Sequence, residues 1–176
     1  MKLWYRCWRR LLTWVGDIYF ATEPPKVRGE HIRALMDRVR AGDVLCRKYT
    51  YYLDSYLIPG SYSHSGISVG NGFGIHAVAE GVSRIDLIDF VKDSDGFVLL
   101  RPRYAGDDKR ITAVESASRN IGKPYDFLFD RRDKSAYYCH ELTAAALADG
   151  DIVVKSGGAI TADDIIAACE IVYQAP

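Results

Sequence analysis

The sequence predicts an α+β domain in which an antiparallel sheet packs against helices. Three observations predict it. One early stretch, HIRALMDRVRAG, has helical apolar spacing; a middle third holds short β-rich runs broken by glycine; a late alanine-rich stretch begins at Cys139. Local runs of strands flanked by helices, with no βαβ alternation, belong to that class.

The elements follow in order. Residues 1–20 read MKLWYRCWRRLLTWVGDIYF and hold all three tryptophans, Trp4, Trp8 and Trp14. Helical spacing gathers Trp4, Trp8, Leu11, Leu12 and Val15 to one side with Arg6, Arg9 and Arg10 beside them. The apolar run LLTWVG is too short to span a bilayer and poor as a signal core. An amphipathic helix covering the domain's own core and one lying in a membrane interface both fit. TEPPKVRGE is punctuated loop, so residues 1–30 are assigned as an N-terminal helix and loop, and residues 31–176 as one catalytic-sized domain. In the next helix Ile32, Leu35, Met36 and Val39 fall at i, i+3, i+4 and i+7, with Gly42 to end it. Asp43–Arg47 reads as a short buried strand, and the aromatic stretch from Tyr49 to Ser63 as loop or short helical turns. GISVG, GIHAVA, VSRIDL and FVLLRPR then form a meander, the first two joined at Asn71–Gly72. Asp107 or Asp108 is expected to cap a helix through Asn120, with Ile111, Val114 and Ile121 on its apolar side. A further helix begins near Cys139, and TADDIIAACEIV is helical or mixed.

Composition narrows the function. At 176 residues with 48% hydrophobic and 26% charged, the chain suffices for one packed core. Lys plus Arg equals Asp plus Glu at 23 each, so no global field recruits nucleic acid. Cys7, Cys46, Cys139 and Cys169 lack CxxC spacing and read as reduced thiols, with no metal or cofactor called for. The expected location is cytoplasmic, with peripheral membrane association through residues 1–20 left open.

Two features carry chemistry. Cys139 stands where the polar loop FDRRDKSAYY gives way to CHELTAAALA. A thiol in a helix's first turn faces the positive end of the dipole, which favours thiolate. A buried structural cysteine is the alternative on position alone. Of the four histidines, His31 opens a helix near the surface. His140 follows Cys139, and adjacent helical residues point about 100° apart, which disfavours it as a base. His64 and His76 bracket the first hairpin, so strand pairing brings them toward each other. One would then act as base and the other orient it.

YSHSGISVG, IHAVAEGV, IGKPYDFLFD and YYCHEL, taken in that order, resemble the circularly permuted branch of the NlpC-type papain-like cysteine hydrolases, closest to YiiX-like proteins and more distantly to lecithin–retinol acyltransferases. The likeness runs from about Gly42 to Leu147, with GDVL and Arg101–Pro102 in the expected order. It implies Cys139 as nucleophile, His64 as general base and His76 in the third, polar position, with Glu80 as fallback orienter if its strand runs that far. Tyr62, Tyr125 and Tyr138 would bind substrate. Glu141 reads as a first-turn carboxylate, and Asp126 as a loop brace. The implied reaction cleaves a peptide, amide or lipid-ester bond through an acyl-enzyme. Two alternatives stand beside it: a lipid-directed acyltransferase or thioesterase at a membrane surface, and a catalytically silent binding scaffold.

Overall fold

The computed structural model describes residues 24–49, 60–130 and 132–176, together with the helical residues Trp4, Cys7, Trp8, Arg10 and Leu11. The rest of the amphipathic helix expected in residues 1–20, and the aromatic stretch 50–59, lie outside the described residues.

The periodic early segment forms helix α1 (Gly29–Met36), whose Leu35 is fully buried. It ends a turn sooner than the apolar spacing suggests, yet Val39 still packs on the same core. There follow β1 (Val44–Lys48), β2 (His64–Gly70), β3 (Phe73–Val78), β4 (Gly81–Asp86), the short helix α2 (Leu87–Val91) and β5 (Gly96–Pro102). Helix α3 (Asp107–Arg119), helix α4 (Cys139–Asp149), helix α5 (Ala162–Ala167) and β6 (Cys169–Gln174) complete the chain. All six strands pair antiparallel in the order β4-β3-β2-β1-β5-β6. The meander is as expected, and its first turn uses positive φ at both Asn71 (54°) and Gly72 (79°). That geometry matches the twist of a two-residue hairpin turn.

Side-chain alternation divides the sheet into two faces. Val44, Cys46, Ile67, Ile75, Val98 and Leu100 pack with α3, α4 and α5. Leu45, Phe97 and Leu99 pack on the other side with α1 and α2, through Leu35, Leu87 and Phe90. Each fully buried aliphatic chain contributes roughly 1.5–3 kcal/mol.

Two expectations are corrected. Gly106, not an aspartate, occupies the N-cap of α3, and Asp107 and Asp108 sit in the first turn. The buried side of α3 is Ala113, Ser116 and Ala117, while Ile111 and Ile121 are about half exposed. The cause is close helix packing: Ala113 and Ala117 join the cluster that contains Ala144, Ala146 and Leu147 of α4. Small side chains let α3 and α4 approach, and that contact outranks the larger apolar residues. The mixed C-terminal stretch resolves into α5 and edge strand β6. Thr161 and Asp164 start α5 with a reciprocal capping box, in which Asp164 accepts from the Thr161 amide at 2.8 Å and Thr161 from the Asp164 amide at 3.3 Å.

Candidate active site

Cys139 is the first residue of α4. Its N-cap, Tyr138, is extended and buried, and the Tyr138 hydroxyl accepts a hydrogen bond from the Ile160 amide at 2.6 Å. The cysteine is 2% exposed, and Sγ lies 4.0 Å from the Ser63 carbonyl oxygen. Burial pushes its thiol up, but the charge of the neighbouring His140 ring, together with the Ser65 and His140 amides, brings it below the ordinary value. The imidazole that acts on the thiol is thus His140, which its place in the helix disfavoured as a base, and the amides come from β2 as well as from the first turn of α4.

The hairpin brings His64 and His76 together: His64 Nε2 and His76 Nδ1 are 3.0 Å apart, with the rings edge to face at 5.2 Å. The register explains it. His76 pairs with Gly66, so His64, two residues back, meets it diagonally on the same face. Both rings border Phe90, at 5.4 and 6.0 Å. A Cβ on Gly66 would lie 3.2 Å from Phe90 and 3.4 Å from His76, so glycine makes room for the pair. Arg47, directly opposite His64 in β1, lies over the Phe90 ring at 4.6 Å and donates to the Phe90 carbonyl oxygen. Glu80 is exposed on the β3–β4 turn, beyond the last residue of β3, so His76 and not Glu80 is the group against His64.

The thiol and the histidine pair approach β2 from opposite sides. Ser65 alternates to the helix-facing side, where it meets α4; His64 alternates to the Phe90 side. Both still converge on one short stretch, because Sγ touches the backbone of Ser63 and Ser65, the residues flanking His64. The entry to β2 is held by α5, whose Asp163 carboxylate accepts from the Ser61 amide at 3.1 and 3.3 Å.

Burial, reinforced by Arg47, His76 and His140, holds His64 well below the ordinary histidine value. Burial and then Arg47 lower His76 to about 4. Both rings are thus neutral in the folded state through mildly acidic pH, while the unfolded chain takes up protons below about 6.5. The associated stability is complete above that pH and drains away as pH falls toward the folded values. For His76 alone the loss by pH 4 amounts to about 3 kcal/mol. Urea-unfolding midpoints between pH 7 and 4 should fall accordingly, and His76→Asn should flatten the slope; an equal slope in the variant refutes this assignment.

The remaining expected residues are placed as follows. Tyr62 is buried in the helix-side core, with Lys48 Nζ 5.9 Å from its ring. Tyr125 is half-buried and packs on Phe127 at 4.9 Å. Asp126 braces its loop by accepting from the Leu128 amide at 2.8 Å. Glu141 is buried in the first turn of α4 and pairs with Lys134 Nζ at 3.1 Å. The sequence reading passed over one group, the buried set His140, Ser65 and Thr143. Ser65 Oγ is 2.8 Å from His140 Nδ1 and 3.0 Å from Thr143 Oγ1, and Thr143 donates to the Cys139 carbonyl oxygen at 3.1 Å. A faint signal existed: period-two alternation puts Ser65 beside Ile67, and Thr143 lies four residues after Cys139.

A family model described as "Permuted papain-like amidase enzyme, YaeF/YiiX, C92 family" matches residues 38–165, a span that contains His64, His76 and Cys139. Among solved structures, the crystal structure of metalloprotein yiiX from Escherichia coli O157:H7 is similar at a TM-score of 0.57. Its sequence is 21% identical over 66% of this chain and 69% of that one, a likeness of fold. No curated protein matches the chain. Among the described residues of this chain, no group of three or more His, Cys, Asp or Glu is placed to hold a metal ion. No helix among them is long and apolar enough to cross a membrane.

Proposed function

The chain belongs to the permuted papain-like amidase family of cysteine-peptidase-type hydrolases, and from that premise we propose that Cys139 is its nucleophile, His64 the general base and His76 the residue that orients His64. The observation that carries the reading is the buried Cys139 thiol at the start of α4, held below its ordinary value by groups around it. In support, His64 commits Nε2 to His76, and Sγ lies against the backbone on either side of His64. Because the His64 ring is on the Phe90 side of β2, its Nδ1 takes the thiol proton through a bridging water at the entry to the strand. A neutral imidazole is the form that accepts a proton, and His64 is kept neutral.

In the proposed cycle His64 takes the thiol proton as sulfur attacks the carbonyl carbon. First-turn amides of α4 stabilise the oxyanion. The C–N bond breaks, and the amine leaves with the proton returned by His64. Water then attacks the thioester, passes a proton to His64 and releases the acid, regenerating Cys139. The direct test is mass-spectrometric trapping of the acyl-enzyme on a Cys139 peptide with an activated acyl ester. A label on another residue, or none, removes Cys139 from this role.

One observation favours a lipid-bearing substrate as a second reading. Trp4, Trp8 and Leu11, at helical spacing i, i+4 and i+7, are all about half exposed, with Arg10 beside them. Tryptophan and arginine together suit a membrane interface. The chain should co-sediment with phosphatidylglycerol-containing vesicles and much less with neutral ones. Removal of residues 1–20 should abolish this, and unchanged sedimentation of the truncated chain sinks the lipid reading.

A further inference from the structure

Two imidazole systems lie on either side of β2, and they differ in kind. On the Phe90 side of β2 lie His64 and His76, bonded to each other. On the helix side lies His140, next to Cys139 in α4 and 2% exposed, with Nδ1 joined to Ser65 Oγ. His140 Nε2 is buried and has no hydrogen-bond partner among the described residues. A buried ring nitrogen left unpaired is costly and calls for a reason, and a role in chemistry is a common one.

We infer that His140 is a second imidazole serving Cys139, held by Ser65 on the thiol's side of β2 so that it stabilises the thiolate, while His64 carries the acid–base steps. This rests on Cys139 being the nucleophile. Three contacts hold the arrangement. Ser65 Oγ bridges His140 Nδ1 and Thr143 Oγ1, Thr143 returns to the Cys139 carbonyl, and Ser65 is fully buried between β1 and α4. The ring of His140 is thereby pinned to the strand its own helix covers.

The titratable and charged groups facing His140 are Cys139 on its own helix, His64 on β2, and Asp163 and Asp164 of α5. From β1, Cys46 faces Cys139. Burial lowers His140, but the charges of Cys139 and of the two aspartates outweigh it, so its affinity for a proton rises. His64 and His76 move the opposite way. Titratable groups pushed apart by their surroundings divide acid and base roles in many enzymes. Here the ring that favours positive charge is the one that adjoins Cys139 in α4.

The test separates the two imidazoles by reading the thiolate and turnover independently. Thiolate is followed by ultraviolet absorbance across pH, as the difference from Cys139→Ser. Cys46 and Cys169 stay out of the window, since burial raises both, Cys169 to about 12. In His140→Asn, whose amide can still bond Ser65 but cannot carry charge, the thiolate midpoint should rise by about one unit or more, a roughly tenfold loss of thiolate at fixed pH. Ser65→Ala should move it the same way by less, and provides the measurement if the first variant folds poorly. His64→Ala should leave the midpoint in place while losing turnover. An unmoved midpoint in both His140→Asn and Ser65→Ala, or a midpoint that moves only in His64→Ala, overturns the inference. An ordinary thiol midpoint in the wild type overturns the activated nucleophile itself, which is a different failure.

Discussion

Replacing Cys139 with alanine should abolish amide hydrolysis, lowering kcat by roughly four orders of magnitude or more on any amide the wild type turns over. In the proposed mechanism the substitution removes the sulfur that forms the thioester, and among the described residues no neighbouring thiol can stand in. Cys46 is wholly buried, and burial, with Cys139 and Cys169 nearby, raises its thiol well above the ordinary value. Burial, then Asp43, raises Cys169. His64→Ala should cost less, roughly two to four orders of magnitude, because proton transfer by a positioned base is worth that much. His76→Ala should cost less again, since it leaves a base that is merely less well oriented. Near-wild-type turnover in Cys139→Ala sends the search for the nucleophile elsewhere. Loss of turnover in Cys139→Ala with none in His64→Ala retains the nucleophile and discards the base.

The second large effect is on stability. Asp43→Ala should destabilise the fold by about 1.5–3 kcal/mol, the usual size of hydrogen bonds to a charged group, since Asp43 is buried while Arg101 still reaches solvent. Asp43 is 2% exposed at the mouth of β1, and takes two bonds from Arg101, Nε at 2.9 Å and Nη2 at 2.7 Å. It also accepts from the Arg40 amide at 2.8 Å, closing the turn that delivers the chain into the sheet. Removing it strands the Arg101 guanidinium, which retains one bond to the Arg38 carbonyl, and loosens β1 against β5. Asp43→Leu combined with Arg101→Met should recover part of the loss, because no uncompensated charge then remains. Urea denaturation of the two single variants and the double one measures this. A loss below about 1 kcal/mol in Asp43→Ala places the pair with surface salt bridges, which contribute little.

That pair illustrates how far the chain could be read from residues alone. GDVL and Arg101–Pro102 stood out only as fragments in a familiar order; their bond spans β1 and β5, 58 positions apart. The His64–His76 pair was far more legible. A two-residue turn at Asn71–Gly72 sets the register, and register sets which side chains meet. Cys139 was legible for a related reason, since the change from polar loop to alanine-rich helix marks a helix start. His140 was not legible. Adjacent helical side chains do diverge, and the rule omits that Ser65, reaching across from β2, fixes the ring on the strand that Cys139 also faces.

The sequence by itself therefore determined the local features: the α1 stripe, the alternating strands, the hairpin turn, the histidine pair and the cysteine at a helix start. Each depends on neighbours within a turn or a hairpin. Tertiary structure alone decided which side of α3 is buried, that the last segment becomes edge strand β6, that Asp43 meets Arg101, and that the thiol and the two histidines lie on opposite sides of β2. The physical reason is common to all four. A side chain's periodicity states that it shares a face with others, but what packs on that face is set by elements distant in the chain, and their shapes and charges choose among the faces on offer.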